Sequence, residues 1–234
     1  MNMKVEIFAD GADEAGIAEL ARNPVIRGFT TNPTLMRAAG VTSYAEFARR
    51  ILEIVPELPI SFEVFADEFD VMERQARLIS TWGSNVYAKI PITNTRGEPS
   101  DAVLRRLSGD GVQVNVTALL TVDQVRSATA CLRDGPSCFI SVFAGRIADT
   151  GRDPVPIMCE ALNGMRPYSN LRLIWASPRE ILNVVQADAI GCHVITVTHD
   201  MLKKLSILGR DLADYSLDTV RMFHRDAQAA SFEL

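Results

Sequence analysis

The sequence predicts a single (β/α)8 barrel, a TIM barrel, with an additional C-terminal helix. Eight short β-branched or apolar runs alternate with amphipathic segments, the pattern of repeated βα units around a parallel sheet. Eight such units in 234 residues leave little room for a second domain, so one domain is predicted over 1–234. An open doubly wound sheet would show the same alternation. The closed barrel is favoured by the unit count and by the lack of a G-x-G-x-x-G after a strand.

Each strand is predicted where β-branched and aromatic residues cluster between helical segments. The eight predicted strands are Val5–Ala9, Val25–Thr30, Ile60–Phe65, Val86–Ile92, Val112–Val116, Cys138–Phe143, Leu171–Ala176 and Val194–Val197. Several helical segments between them open with Asp, Ser or Thr at the cap position. A helical tail is predicted at about 214–231. Its apolar face, which contains Leu217, Val220, Met222 and Phe223, either covers a neighbouring subunit or closes the bottom of its own barrel.

Composition excludes several classes of function. Hydrophobic residues make up 47% and charged residues 23%, which is ordinary globular composition. The net charge of −5 and the pI of about 5.3 offer no basic field for nucleic acid. No apolar run reaches the roughly 18 residues that a membrane helix needs, so no membrane partner is predicted. Four cysteines without a C-x-x-C, together with early charges at the start of the chain, predict a cytoplasmic protein.

Polar residues lie at the predicted carboxyl ends of seven of the eight strands, and in a barrel these ends meet at one rim. They form one candidate site: Asp10, Thr31, Asn32, Glu63, Lys89, Asn115, Thr117, Ser141, Arg146, Ser177 and Arg179.

Lys89 is the exceptional member of this set. The chain has 4 lysines against 20 arginines, so a lysine within the apolar run VYAKIPIT stands out. Alternation along the strand points Lys89 into the barrel if Asp10, Glu63 and Asn115 also point inward. Burial disfavours the charged ammonium and favours the free amine, which attacks a carbonyl to form a Schiff base. The alternative is a lysine that pairs with Asp10 or Glu63 for structure alone.

Two further groups complete the predicted chemistry. Asp10 and Glu63 are candidates for proton transfer, one from a substrate hydroxyl and one through water, unless they are simply solvated or ion-paired acids. Arg146, Ser177 and Arg179 follow the sixth and seventh strands, where this fold often holds a substrate phosphate. The alternative is that the arginines are structural and pair with Asp149, Asp153 or Glu180.

Metal and hydrolase chemistry find little support in the sequence. Its histidines, His193, His199 and His224, lack H-x-H or H-E-x-x-H spacing, so no metal site is predicted. No G-x-S-x-G elbow is present for a serine hydrolase.

These residues resemble the transaldolases, including the small bacterial type and the fructose-6-phosphate aldolases. The resemblance covers nearly the whole chain, and its most specific part is GFTTNPT at 28–34 together with the lysine strand. It continues through FAD, FEV, VNVTALL, ISVFAGRI and ASPRE. It implies a cofactor-free barrel in which Lys89 forms the imine with a dihydroxyacetone unit. Asp10 would then deprotonate the substrate hydroxyl, and Glu63 with Thr117 would handle the catalytic water.

The resemblance also assigns binding residues. Asn32, Asn115 and Ser141 would position the imine and its hydroxyls, beside Thr31 and Phe143, and Arg146, Ser177 and Arg179 would bind the phosphate of a sugar phosphate. The aldolase branch tends to carry Gln at the position of Glu63 and Tyr at that of Phe143, so the transferase branch is favoured. Small members of the family form rings of five or ten subunits through a C-terminal helix, so a pentameric or decameric homo-oligomer is predicted.

Two alternative functions stay open, and three features depart from the family pattern. The protein could cleave fructose 6-phosphate to release free dihydroxyacetone, or it could bind sugar phosphates without turnover. Trp175, the stretch TNTRGEPS at 93–100 and the stretch NGMRPYSN at 163–170 depart from the family pattern and leave the acceptor and the pathway open.

Overall fold

The computed structural model describes residues 3–231, and in them eight parallel strands close into a barrel in the order β1 to β8. The first strand pairs with both the second and the eighth, which closes the sheet. The strands are β1 (Glu6–Asp10), β2 (Ile26–Thr30), β3 (Ile60–Glu63), β4 (Val86–Pro91), β5 (Val114–Leu119), β6 (Cys138–Val142), β7 (Leu171–Trp175) and β8 (Val194–Thr198). The predicted barrel is confirmed. Residues 1, 2 and 232–234 of the predicted domain lie outside the described range.

Helices connect consecutive strands around the outside of the barrel, and the last two helices follow the eighth strand. They are α1 (Glu14–Leu20), α2 (Pro33–Ala38), α3 (Tyr44–Ile54), α4 (Phe69–Ser80), α5 (Asp101–Gly109), α6 (Val122–Leu132), α7 (Ala144–Asp149), α8 (Val155–Met165), α9 (Leu182–Ala189), α10 (His199–Lys203) and α11 (Leu212–Ala229). Two of them, α2 and α7, are short helices that the hydrophobic pattern did not predict, because six residues make too few turns to show a period.

Each strand differs from its predicted bounds by at least one residue, and two strands differ by two residues or more at an end. The third strand ends at Glu63 rather than Phe65, because the Gln75 side chain accepts the N–H groups of Phe65 and Ala66, at 2.8 and 3.0 Å. The fifth strand was predicted at Val112–Val116 but spans Val114–Leu119. It continues through an irregularity at Ala118, whose φ of 65° is unusual for a residue with a side chain.

The barrel interior is built in layers. Its lower layer is an apolar plug that includes Phe8, Tyr87, Phe139, Ile174 and Val194. In a strand, residues two apart face the same side, so the next inward positions belong to the layer above. Those positions hold Asp10, Lys89, Ser141, Ala176 and Thr196, and all five border one cavity. The apolar plug therefore supports a mainly polar layer at the carboxyl ends of the strands, as is usual for this fold.

The last helix, α11, stands apart from the barrel. None of its residues is buried, and the side chains of Val220 and Phe223 are 60% and 62% exposed. Closure of the barrel's own bottom by this helix, one of the two predicted roles, is therefore wrong. Within the described residues, no helix has the length and apolar character required to cross a lipid bilayer.

Candidate active site

Lys89 lies at the centre of the polar layer. Parallel register places Glu63 of β3, Lys89 of β4 and Asn115 of β5 side by side. The lysine is 6% exposed, and its Nζ lies 3.1 Å from Glu63 Oε2 and donates to the Thr31 carbonyl oxygen at 2.9 Å. The amine is therefore held between β3 and the segment that follows β2. An ion pair with Asp10 or Glu63 was the predicted alternative to imine chemistry for this lysine, and the structure shows the pair with Glu63. Whether that pair serves structure or chemistry depends on the groups around it.

Asp10 ends β1 on the same rim. Thr30, its register partner on β2, donates to Asp10 Oδ1 at 2.8 Å. Burial raises the pKa of Asp10 above its ordinary value, and the opposing effects of the Lys89 charge and the Thr30 hydrogen bond only partly offset this. A raised pKa makes the carboxylate a stronger base, which suits a group that accepts and returns a proton.

A chain of buried hydrogen bonds orients Asn115. Its Nδ2 donates to Ser61 Oγ at 2.9 Å, and its Oδ1 accepts from Ser141 Oγ at 2.7 Å. These two contacts hold the amide between β3 and β6. By contrast, Thr117 Oγ1 is buried at the cavity wall and makes no hydrogen bond with any described residue. A hydroxyl without a partner at this point is available to bind a substrate group or water.

The positive end of the site lies beyond β6 and β7. Arg179 donates from Nε to Asp149 Oδ1 at 2.9 Å, and a second contact joins its Nη2 to Oδ2. This ion pair holds the pKa of Asp149 below its usual range. Arg146 lies over the Phe143 ring, 5.4 Å from its centroid. Of the three predicted carboxylate partners, Asp149 is therefore the one that Arg179 contacts, and both arginines still border the cavity.

Backbone geometry at this end is tight. Ser177 has a φ of 59°, in the left-handed region, and Gly145 packs so closely that an added Cβ would lie 2.7 Å from the Ser177 carbonyl carbon. Only glycine fits at position 145 without moving one of these two segments.

A cavity of about 530 Å³ joins these features. Ten of the twelve predicted site residues border it: Asp10, Asn32, Glu63, Lys89, Thr117, Ser141, Phe143, Arg146, Ser177 and Arg179. The other two, Thr31 and Asn115, are buried behind the cavity wall. They accept hydrogen bonds from Lys89 and Ser141, respectively, which do border the cavity.

Sequence reasoning missed part of the wall. Thr196 and Thr198 of β8 border the cavity, so the eighth strand contributes polar groups as well. Their period of two along β8 was the available signal. The predicted strand ended at Val197 and so left out Thr198, although it contained Thr196. Thr30 and Ser61 were also missed, because their roles come from partners on other strands.

The three departures from the family pattern do not border this cavity. Trp175 is fully buried in the core between the sheet and the helices. In the stretch 93–100, Thr93 bridges to Pro99, Thr95 donates to Asp67, and Arg96 pairs with Glu68. Among residues 3–231, no group of three or more His, Cys, Asp or Glu side chains is arranged to hold a metal ion.

Known proteins match most of this chain in sequence. A family model described as "Transaldolase/Fructose-6-phosphate aldolase" matches residues 7–234. A probable transaldolase of Chelativorans sp. is 34% identical over 215 residues, which cover 92% of this chain and 94% of the relative. A probable transaldolase of Thermoplasma volcanium is 33% identical over 204 residues, covering 86% and 87%. One of Dehalococcoides mccartyi is 31% identical over 202 residues, covering 86% and 90%.

Solved structures with a similar fold are more distant in sequence. A dihydrodipicolinate synthase from Rhodopseudomonas palustris superposes with a TM-score of 0.56 at 17% identity, covering 92% of this chain and 79% of that one. A mandelate oxidase variant gives 0.58 at 15% identity, covering 95% and 74%. At such identities the likeness shows the barrel fold alone. The family model and the curated relatives carry the assignment: the chain belongs to the transaldolase/fructose-6-phosphate aldolase family.

Proposed function

We infer that this protein is a transaldolase that transfers a dihydroxyacetone unit from a ketose phosphate to an aldose phosphate through a Schiff base on Lys89. The donor is fructose 6-phosphate or sedoheptulose 7-phosphate. The observation that carries this proposal is the setting of Lys89: a buried amine, 3.1 Å from a carboxylate, borders a cavity that also contains Asp10 and two arginines. Membership of the family and the names of the relatives support aldolase-type chemistry.

The reaction begins at the lysine. Glu63 is placed to take a proton from the ammonium, after which Nζ attacks the ketose carbonyl. The carbinolamine then loses water to give the imine. Asp10 accepts the proton of the hydroxyl on the fourth carbon while the bond between the third and fourth carbons breaks, and the electron pair moves into the imine.

Transfer reverses these steps with a second sugar. The cleaved aldose phosphate leaves, and the three-carbon enamine stays on Lys89 until an acceptor aldehyde arrives. The enamine carbon attacks the aldehyde, and Asp10 returns its proton to the new hydroxyl. Water then hydrolyses the imine. Glu63 and the hydroxyl of Thr117, which has no partner among the described residues, would hold that water.

The remaining wall groups bind the sugar. Asn32 and Ser141 would contact the hydroxyls of the three-carbon unit, while Asn115 and the Thr31 carbonyl hold Ser141 and the lysine in place. Arg146, Ser177 and Arg179 would bind the terminal phosphate through charge-assisted hydrogen bonds. Phe143 supplies a ring against which the Arg146 guanidinium rests, which limits its rotamers.

Borohydride trapping tests the proposal. Fructose 6-phosphate and borohydride should add a reduced three-carbon unit to Lys89 of the wild-type chain, as located by peptide mass spectrometry. Lys89→Met should show no adduct, whereas Lys203→Met, a matched change at an exposed lysine, should be trapped like the wild type. Unmodified wild-type protein would refute the imine mechanism and favour a barrel that binds sugar phosphates without turnover.

Transfer and cleavage differ in what happens without an acceptor. A transferase retains the enamine until an aldose phosphate arrives, so donor alone should release little free dihydroxyacetone. The carboxylate at Glu63 and the lack of a hydroxyl on Phe143 support transfer, because both alter how water reaches the imine. Abundant release of dihydroxyacetone from donor alone would instead assign the protein to the aldolase branch.

Assembly and location complete the proposal. The chain functions as one barrel domain, and the exposed apolar face of α11 packs on a neighbouring copy in a pentamer or decamer. Light scattering of the full chain should give the mass of five or ten subunits, and a monomer would contradict this. A cytoplasmic location is supported by four cysteines that are all free thiols, as expected in a reducing compartment.

A further inference from the structure

Glu63 sits at a point where the hydrogen-bond ladder of the barrel is interrupted. Between β2 and β3, the Phe29 N–H donates to the Pro59 carbonyl oxygen at 2.8 Å, and the Thr31 N–H donates to the Ser61 oxygen at 3.2 Å. Donors and acceptors both advance by two residues, so the next pair joins residue 33 to Glu63. Residue 33 is a proline and has no N–H to donate.

Tyr44 takes the place of that missing donor. Its hydroxyl donates to the Glu63 carbonyl oxygen at 2.9 Å from the first turn of α3. Burial raises the pKa of Tyr44 above its ordinary value, so the hydroxyl keeps its proton and remains a donor throughout the physiological range.

The Tyr44 ring is itself held by its neighbours. It packs edge-on against Phe65 with centroids 4.4 Å apart, and lies 6.1 Å from Phe62 and 5.7 Å from Trp82. Such aromatic contacts restrict the ring and therefore the direction in which its hydroxyl points. The hydroxyl thus fixes the backbone of the last residue of β3, whose carboxylate reaches Lys89.

We propose that Tyr44 is a positioning residue for the Lys89–Glu63 pair, acting through its hydrogen bond to the Glu63 carbonyl. Tyr44 does not border the cavity. It holds Glu63 at the angle from which the carboxylate meets the amine at 3.1 Å. The inference rests on the proposed function, because it assumes that this pair performs the proton transfers of imine formation and hydrolysis.

Tyr44→Phe tests the inference, because it removes the hydroxyl and keeps the ring with its packing. General acid–base catalysis contributes about 10²- to 10⁴-fold, and a carboxylate that is present but poorly oriented should lose part of it. With fructose 6-phosphate and an aldose phosphate acceptor, kcat should fall about tenfold while KM stays within about twofold. The initial rate at which borohydride traps the adduct on Lys89 should fall by a similar factor.

Tyr87→Phe is the matched control. Tyr87, which is buried where Tyr44 is half-buried, also donates to a neighbour, the Ser137 hydroxyl at 3.3 Å, but it belongs to the apolar plug below the site. It should lose a similar amount of thermal stability and keep the wild-type kcat and trapping rate.

The outcomes separate the two proposals. If the wild type and Tyr87→Phe react normally while Tyr44→Phe is slow in both turnover and trapping, the positioning role is supported. If Tyr44→Phe turns over and is trapped like the wild type, the positioning role is wrong and the proposed function stands. The positioning role is also wrong if Tyr44→Phe and Tyr87→Phe both lose kcat in proportion to their loss of thermal stability. If even the wild type forms no adduct, the proposed function fails first and the inference fails with it.

Discussion

The close approach between α7 and the loop after β7 makes Gly145 the most sensitive glycine of the proposed phosphate end. In Gly145→Ala, the new Cβ would lie 2.7 Å from the Ser177 carbonyl carbon, where an ordinary contact begins at 3.4 Å. The Ser177 carbonyl oxygen would lie closer still, so the two segments must separate by more than 0.7 Å, since both of these contact atoms belong to the backbone. The hydrogen bond from the Gly145 N–H to the Ala176 oxygen, already 3.4 Å long, should break.

This separation should affect both activity and stability. It moves Arg146, the next residue on α7, away from Ser177, so the two no longer meet the same phosphate. A displacement of about 1 Å can cost as much as about 10²-fold, so kcat/KM for fructose 6-phosphate should fall about tenfold to hundredfold. Overpacking of this kind typically lowers the free energy of unfolding by about 1–3 kcal/mol. For a chain of this size, that corresponds to a Tm about 2–12 °C lower.

Steady-state kinetics and thermal unfolding measure both effects. The control is Gly164→Ala, a glycine within α8 whose added Cβ meets nothing within 4 Å. Alanine should raise its free energy of unfolding by about 0.5–1 kcal/mol, because alanine is the better helix former, and should leave the kinetics unchanged. The loss in Gly145→Ala should also be larger with fructose 6-phosphate than with fructose. Wild-type kcat/KM and Tm in Gly145→Ala would refute the reasoning.

Three further predictions concern other parts of the site. Asp10→Asn should abolish turnover, and its stability relative to the wild type should improve from pH 4 to pH 7 in urea unfolding. The raised pKa of Asp10 stabilises the fold at acid pH, and that contribution is lost as pH rises through the folded-state pKa; an unchanged difference between the two pH values would contradict this. Thr117→Val should lower kcat by about 10²-fold or more and leave Tm unchanged or higher, because this hydroxyl bonds to no described residue; a marked loss of Tm would be the opposing result. Arg179→Ala should mainly raise KM for phosphorylated donors in steady-state assays, and an equal effect on non-phosphorylated donors would remove its phosphate role.

The sequence predicted the barrel and most of the residues around its cavity because both follow from local patterns. Apolar β-branched runs mark strands, and the carboxyl ends of parallel strands meet at one rim. Lys89 was conspicuous as a rare lysine inside such a run. The same logic failed at β8, where a boundary one residue too early hid Thr198, and at α2 and α7, which are too short to show a period.

The sequence by itself determined which residues face the barrel interior, since alternation along each strand is a local property of the chain. Only the tertiary structure decided which of these residues meet. The carbonyl oxygen of Thr31 accepts a hydrogen bond from a lysine 58 positions away, Asn115 donates to a serine 54 positions away, and Tyr44 replaces an amide that Pro33 lacks. Such partners depend on strand register and on helix packing, which arise only when the sheet closes and distant segments share one core.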